Sequence, residues 1–304
     1  MRRFGLVIIC SLALVTGAQG AQAGADVVAK IKVGAQACSV VIAGGSAWAT
    51  VFGTDEVVRI DPATNKVERR ISVDAGPCGI TAGAGAVWLM NFQGATVQRI
   101  DPATDAVTAT IRVGMQPYDV AYGFGSVWVT NFGAGTVFRI DPATNRVVRR
   151  IRVGGQPGGL AISRSAVWVG NFAHRSIARI SPTRNRVVKR VRVGSKPVWL
   201  AAKGYAVFAS LQDARAVARI DERSNRRVRL IRGTGAQPVD GGIVAGDLWV
   251  PNLRGNSVTR IDIRRNRVKE TIRVGPGPFV VPDDPSELWV GSFQGDDVWR
   301  LKPK

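Results

Sequence analysis

A small set of residues whose types could do chemistry falls just after a recurring proline. Tyr118 and Asp119 follow Pro117, Trp199 stands two residues after Pro197, and Asp240 two after Pro238. Phe279 follows Pro278 in the same way. Aromatic rings beside carboxylates can shape a ligand pocket, the rings supplying contact area and the acids orientation. The same side chains can equally plug a narrow channel. Asn131, Asn171 and His174 sit in a second set of loops, after WVT and WVG. His174 is the single histidine and so the one imidazole available as a proton carrier, with an ordinary pKa of about 6.5. A solvated loop histidine is the plainer alternative. The asparagines suit capping of their own loops through side-chain-to-backbone bonds. Asp296 and Asp297 add a small acidic spot that would suit a cation.

One histidine cannot supply a His-rich metal centre, and a Ser-His-Asp arrangement would have to use His174. No metal, cofactor or catalytic residue is assigned. Cys38 and Cys78 follow the same loop pattern and are one repeat apart. They are a candidate disulfide if neighbouring strands converge to the roughly 4.4–6.8 Å between Cα atoms that a bridge needs. Two buried thiols are the alternative.

These positions recur because the sequence does. Residues 111–150, IRVGMQPYDVAYGFGSVWVTNFGAGTVFRIDPATNRVVRR, are repeated with edits along almost the whole chain. Each copy holds four short apolar, β-rich runs separated by Gly, Pro and Asn turns. Four strands repeating at about forty residues are the signature of a propeller blade. One register carries Trp48, Trp88, Trp128, Trp168, Phe208, Trp249 and Trp289. Seven such rings predict seven blades, each ring filling the wedge between sheets. Trp299 falls in the third-strand register of Phe138.

The turn after the third strand reads DPATN or a decayed copy of it, from Asp61-Pro-Ala-Thr-Asn65 to Asp262-Ile-Arg-Arg-Asn266. Asp accepts backbone N–H bonds, Pro presets φ and Asn tolerates a left-handed conformation, so these acids are structural. The last repeat stops near Leu301 without a fourth strand. Val27–Val33 match that missing strand and precede the first repeat. The expected fold is therefore all-β: a seven-bladed β-propeller of four antiparallel strands per blade, with the N-terminal strand completing the last blade.

Residues 1–23 lie outside the repeat. Arg2 and Arg3 precede an apolar run from Phe4 to Val15, and Ala21-Gln-Ala23 offers a cleavage site. This predicts a secretory signal peptide over 1–23, a propeller over 24–304, and a secreted or periplasmic protein. The apolar run, about 12 residues, is too short to span a bilayer stably. A retained anchor is the alternative, and a monomer is expected. The formal net charge is +20, with much of the excess in outer-strand segments such as Arg146, Arg149, Arg150 and Arg152. Lysine and arginine on strand edges discourage edge pairing. They also make an electrostatic footprint for nucleic acid or another anionic polymer.

Trp128-Val-Thr-Asn131, Thr136-Val-Phe-Arg-Ile-Asp141 and Val113-Gly-Met-Gln-Pro117 together resemble the YVTN-family β-propeller repeat over about residues 26–302. That resemblance implies a seven-bladed propeller, commonly exported, and no single activity. In its Gly-x-x-Pro and Leu/Val-Trp-Val rhythm the chain also resembles the streptogramin B lyases. That likeness implies histidines and a glutamate around a magnesium ion, and the single His174 departs from the pattern. The sequence thus leans away from an enzyme. It favours a noncatalytic exported propeller binding a small ligand or a protein at the channel mouth. The alternatives are a lyase-like enzyme and anionic-polymer binding through a basic rim.

Overall fold

A computed structural model describes residues 24–284 and 286–304; the expected signal peptide lies outside the described residues. Seven antiparallel sheets fan around a central axis. Blade three shows the plan, running outward through Pro117–Gly123, Ser126–Asn131, Thr136–Asp141 and Arg146–Arg152. Period-two apolar runs make the strands, and residues with positive φ close the hairpins, such as Phe124 and Gly125 between the first two. Among the described residues no helix is long and apolar enough to cross a membrane.

The second strands are buried at every residue but Ala206, and their rings form the core. Trp48, Trp88, Trp128, Trp168 and Trp249 are 0% exposed. A buried indole N–H needs an acceptor, and the hairpin five residues earlier provides one. Trp128 Nε1 donates to the Gly123 carbonyl at 2.9 Å, and Trp88 Nε1 to that of Gly83 at 3.0 Å. Each ring is also covered by the cross-strand arginine of its own blade. Arg139 lies 5.1 Å from the Trp128 ring and Arg260 the same distance from Trp249.

Those arginines explain the turn asparagines. Arg139 Nη1 donates to Asn185 Oδ1 of the next blade at 2.9 Å, Arg179 to Asn225 at 2.7 Å, and Arg219 to Asn266 at 2.7 Å. Where blade two has Asp105 instead, Arg59 makes an ion pair with it at 3.0 Å. The asparagines hold φ between 52° and 57°, the left-handed region that Asn tolerates best after glycine. One residue thus shapes its own turn and anchors its neighbour.

The ring closes as the sequence predicts. Strand Ala25–Lys32 pairs antiparallel with Asp297–Pro303, from Ala25 opposite Pro303 to Lys32 opposite Asp297. Trp299 stands opposite Val290 as Phe138 stands opposite Val129. Blades six and seven depart from the ideal on their inner strands. Blade six keeps only Gly242–Val244, and blade seven holds its inner segment by a Pro278–Ser292 bridge and a Phe279 N–H bond to Gly291. Prolines cause this: Pro251 and Pro282 have no N–H to give to a ladder.

Candidate functional site

Where each chain segment enters its inner strand, the register slips by a residue or more just after the recurring proline. It does so between Pro117 and Asp119, Pro197 and Trp199, and Pro77 and Ile80. A bulge re-aims the side chains it carries, and these carry the variable residues of the sequence. In blade three the freed Asp119 N–H finds the Thr130 hydroxyl at 3.0 Å; in blade one Ser39 N–H finds Thr50 at 3.0 Å. At this level Cys38 and Cys78 are joined by a disulfide, with their Cα atoms 5.2 Å apart.

The entry side chains meet in an aromatic layer across one end of the axis. Tyr118 stacks on Phe132 with centroids 5.4 Å apart and lies 5.2 Å from Trp199. Trp199 meets Phe279 edge-on at 6.0 Å, Phe279 stacks on Phe293 at 5.0 Å, and Phe293 reaches Phe52 at 5.7 Å. Phe172 closes against Tyr118 from the side. Glycines make the room. A Cβ on Gly158 would lie 2.4 Å from the Phe172 ring, and one on Gly159 2.6 Å from Trp199 Cα. The layer is not solid. Phe52, Met90, Phe92, Tyr118, Trp199 and Phe279 line most of a cavity of about 160 Å³. Trp199 is 3% exposed, and its indole N–H has no partner among the described residues.

Beneath the rings the inner strands enclose a second space of about 390 Å³ running along the axis. Asp119 and Asp240 face it near the aromatic end, and Asp283 stands at the far, more exposed rim. Asp119 is fixed between blades: its Oδ2 accepts the Leu160 N–H at 2.6 Å and its Oδ1 the Val120 N–H at 2.8 Å. Enclosure by protein nevertheless pushes its carboxyl up to about 7, the two amide bonds opposing that rise. Burial raises Asp240 well above the usual carboxylate range, and the charges of Asp119 and Asp283 add to the rise. Asp283, although exposed at the rim, has its carboxyl side turned into the space, and partial desolvation there raises it, held back by the Ile243 amide and the Lys203 charge. Desolvation likewise raises the Tyr118 phenol. Like-charged acids in one enclosed space share protons, so near neutral pH this space holds fewer negative charges than carboxyl groups.

Tyr118, Asp119, Trp199, Asp240 and Phe279 are therefore brought together, in two layers. The rings belong to the cavity at the loop end and the acids to the axial space below. Three other candidates stand elsewhere. Asn131 and Asn171 are fully buried. Asn171 caps its loop through the His174 N–H at 3.1 Å and donates to the Gly154 carbonyl at 2.5 Å, while Asn131 has no partner among the described residues. His174 is exposed and lines neither space. The acidic side chains already have partners, Asp296 an ion pair with Lys32 at 2.6 Å and Asp297 a hydrogen bond from Trp299 Nε1. Among the described residues no three His, Cys, Asp or Glu side chains are grouped to hold a metal ion.

Sequence reasoning missed Asp283 and Phe52. Counting five residues on from each recurring proline puts Asp283 in the layer of Tyr122, Ile162 and Ala202. A carboxylate among apolar residues at that count was the available signal. Phe52 occupies the place of Phe92 and Phe132, hidden because Val51 replaces the asparagine before it.

Seven sheets, a closure made by the first strand and an axial space below an aromatic mouth define a seven-bladed propeller of the YVTN and streptogramin B lyase kind. Residues 71–274 match the family described as YNCE-like beta-propeller, and the chain belongs to that family. Virginiamycin B lyase from Staphylococcus aureus is similar in structure. Its TM-score is 0.79 at 18% identity, over 91% of this chain and 99% of that one. Hydrazine synthase from Kuenenia stuttgartiensis is similar too, with a TM-score of 0.77 at 15% identity, over 90% of this chain and 97% of that one. Comparison with curated proteins gave no match.

Proposed function

We propose that this chain is an exported, noncatalytic binding propeller whose aromatic mouth takes a small, largely apolar ligand or an apolar segment of a protein partner. One observation carries the reading. The cavity of about 160 Å³ is walled by six aromatic rings, those of Phe52, Phe92, Tyr118, Trp199, Phe279 and Phe293, together with Met90 and Cys78. Apolar surface buried against such rings is favoured by about 25 cal/mol per Å², so the walls select an apolar ligand. Rings that are part buried and part open are also what ligand and protein contacts use. Export rests on the N-terminal sequence alone. The activity in the name of the lyase neighbour stays with that protein, because 18% identity conveys the fold and His174 stands away from both spaces.

The test is a titration with Nile red, a neutral apolar dye, followed by its fluorescence. Saturable binding of one dye per chain is expected, weakened at least about tenfold by Trp199→Ala or Phe279→Ala. His174→Ala should change nothing. Equal affinity in all variants would move the site elsewhere.

A further inference from the structure

The outer strands of blades three, four and five read RVVRRIR, RVVKRVR and RRVRLIR. They hold twelve lysine and arginine side chains and no acid, and all twelve are exposed. Among the described residues none of them is in a salt bridge. Protection of strand edges makes the same demand on every blade, yet the other four outer strands are diluted. Glu68 stands in that of blade one, Thr108 and Thr110 in that of blade two, Glu270 in that of blade six and Asp26 in that of blade seven. The three basic strands belong to consecutive blades and form one arc. Several of their guanidinium groups are fixed. Arg190 Nη2 donates to the Val153 carbonyl at 2.8 Å, Arg227 Nη1 to that of Val193 at 2.8 Å, and Arg150 lies over the Phe138 ring.

We propose that this arc is a binding surface for a linear anionic polysaccharide, separate from the aromatic mouth. Guanidinium forks match the planar carboxylate or the sulfate of such a chain, and twelve cations without an acidic partner in one field attract a polyanion over a distance. Three features choose among polyanions. Successive blades face directions about a seventh of a turn apart, so a flexible chain can follow all three strands where a flat bilayer meets one or two. The strands carry no aromatic side chain on which a base would stack, which single-stranded nucleic acid binding uses. Val148, Val188 and Val228 recur among the cations at 38%, 40% and 52% exposure, and offer apolar contact to the C–H faces of sugar rings.

Two triple variants test this in the full chain, each removing three exposed positive charges. Arg149→Gln, Lys189→Gln and Arg229→Gln lie on the arc; Lys66→Gln, Arg267→Gln and Arg273→Gln lie on the outer strands of blades one and six. Circular dichroism melts check that both fold. The probes are a polyuronate oligosaccharide, a single-stranded oligonucleotide of equal charge, and vesicles of phosphatidylserine in phosphatidylcholine. The arc variant should bind polyuronate roughly tenfold more weakly and lose part of its salt dependence, while the other variant stays within about twofold of the wild type. Equal losses in both variants would overturn the arc as a site. Tighter binding of the oligonucleotide or the vesicles than of polyuronate would overturn the choice of partner.

Discussion

Arg300 and Asn65 are 235 residues apart in sequence, yet Arg300 Nη1 donates to Asn65 Oδ1 at 2.7 Å and so fastens the last blade to the first. The Pro62 carbonyl of the same turn accepts from the same nitrogen. Equivalent bonds join the earlier blades, so the ring is held by one repeated arginine stacked on a tryptophan, or on Phe208 in blade five, and reaching across a seam. Only blade six lacks a turn to reach, and there Arg260 bonds the Lys304 carbonyl at 2.8 Å.

Asn65→Gly isolates that bond. Glycine adopts the 57° φ of Asn65 without strain, so the turn survives and only the acceptor is lost. Arg300 keeps the Pro62 carbonyl and the Glu287 carboxylate, so loss of this one bond should cost about 1 kcal/mol. Urea denaturation should show a loss of that size, and the same substitution in an Arg300→Gln background should cost clearly less. Equal costs in both backgrounds would mean that the seam contributes nothing to stability.

Trp128→Ala should destabilise by about 3–5 kcal/mol, as truncation of a buried aromatic does. The ring is 0% exposed, its N–H is bonded to Gly123, and Arg139 rests on its face. Trp128→Phe keeps most of the volume and should cost distinctly less. A denaturation midpoint unmoved by the alanine variant would show that the ring does not fill a wedge between sheets.

The axial carboxylates give stability a pH dependence of definite sign. The Asp119 carboxyl is raised from the usual 3.8 to about 7, and that of Asp240 also lies well above 3.8. Between those values the folded chain binds protons that the unfolded chain has released, so stability falls as pH rises through that window. Asp240→Asn removes one of the crowded charges. It should match the wild type near pH 4 and be progressively more stable towards pH 7, read as the difference in melting temperature at each pH. A difference independent of pH would place Asp240 in contact with bulk water.

Much of this was legible because the frame repeats. The tryptophan register counted the blades, and Val27–Val33 matched the missing strand. The DPATN turns announced their own geometry, since Asp, Pro and Asn each have a local reason to be there. What Asn65 also does for Arg300 was not legible, because that bond depends on how one sheet lies against the next. The site was half legible for the same reason. Variation after the recurring proline picked out Tyr118, Asp119, Trp199 and Asp240, but a residue or two along a bulged strand decides whether a side chain joins the aromatic layer or the axial space. His174 was singled out for its chemistry alone, and chemistry does not bring a loop to the axis.

Removing residues 1–33 should undo the closure. Ala25–Lys32 cover the outer edge of Asp297–Pro303 over its whole length, and Leu301 and Val298, both 0% exposed, are buried with that strand in place. Without it the third strand of blade seven presents unpaired N–H and carbonyl groups beside uncovered apolar side chains, which is a template for pairing with another chain. The shortened protein should melt at a lower temperature and self-associate in sedimentation. A synthetic peptide of residues 24–34 added in excess should restore both properties by re-forming the strand, as peptides do at open sheet edges. Rescue by that peptide and not by a scrambled one would assign the effect to the register of Val27 opposite Leu301. A shortened chain that melts with the full-length protein would show that the other six blades hold the ring without the seventh seam.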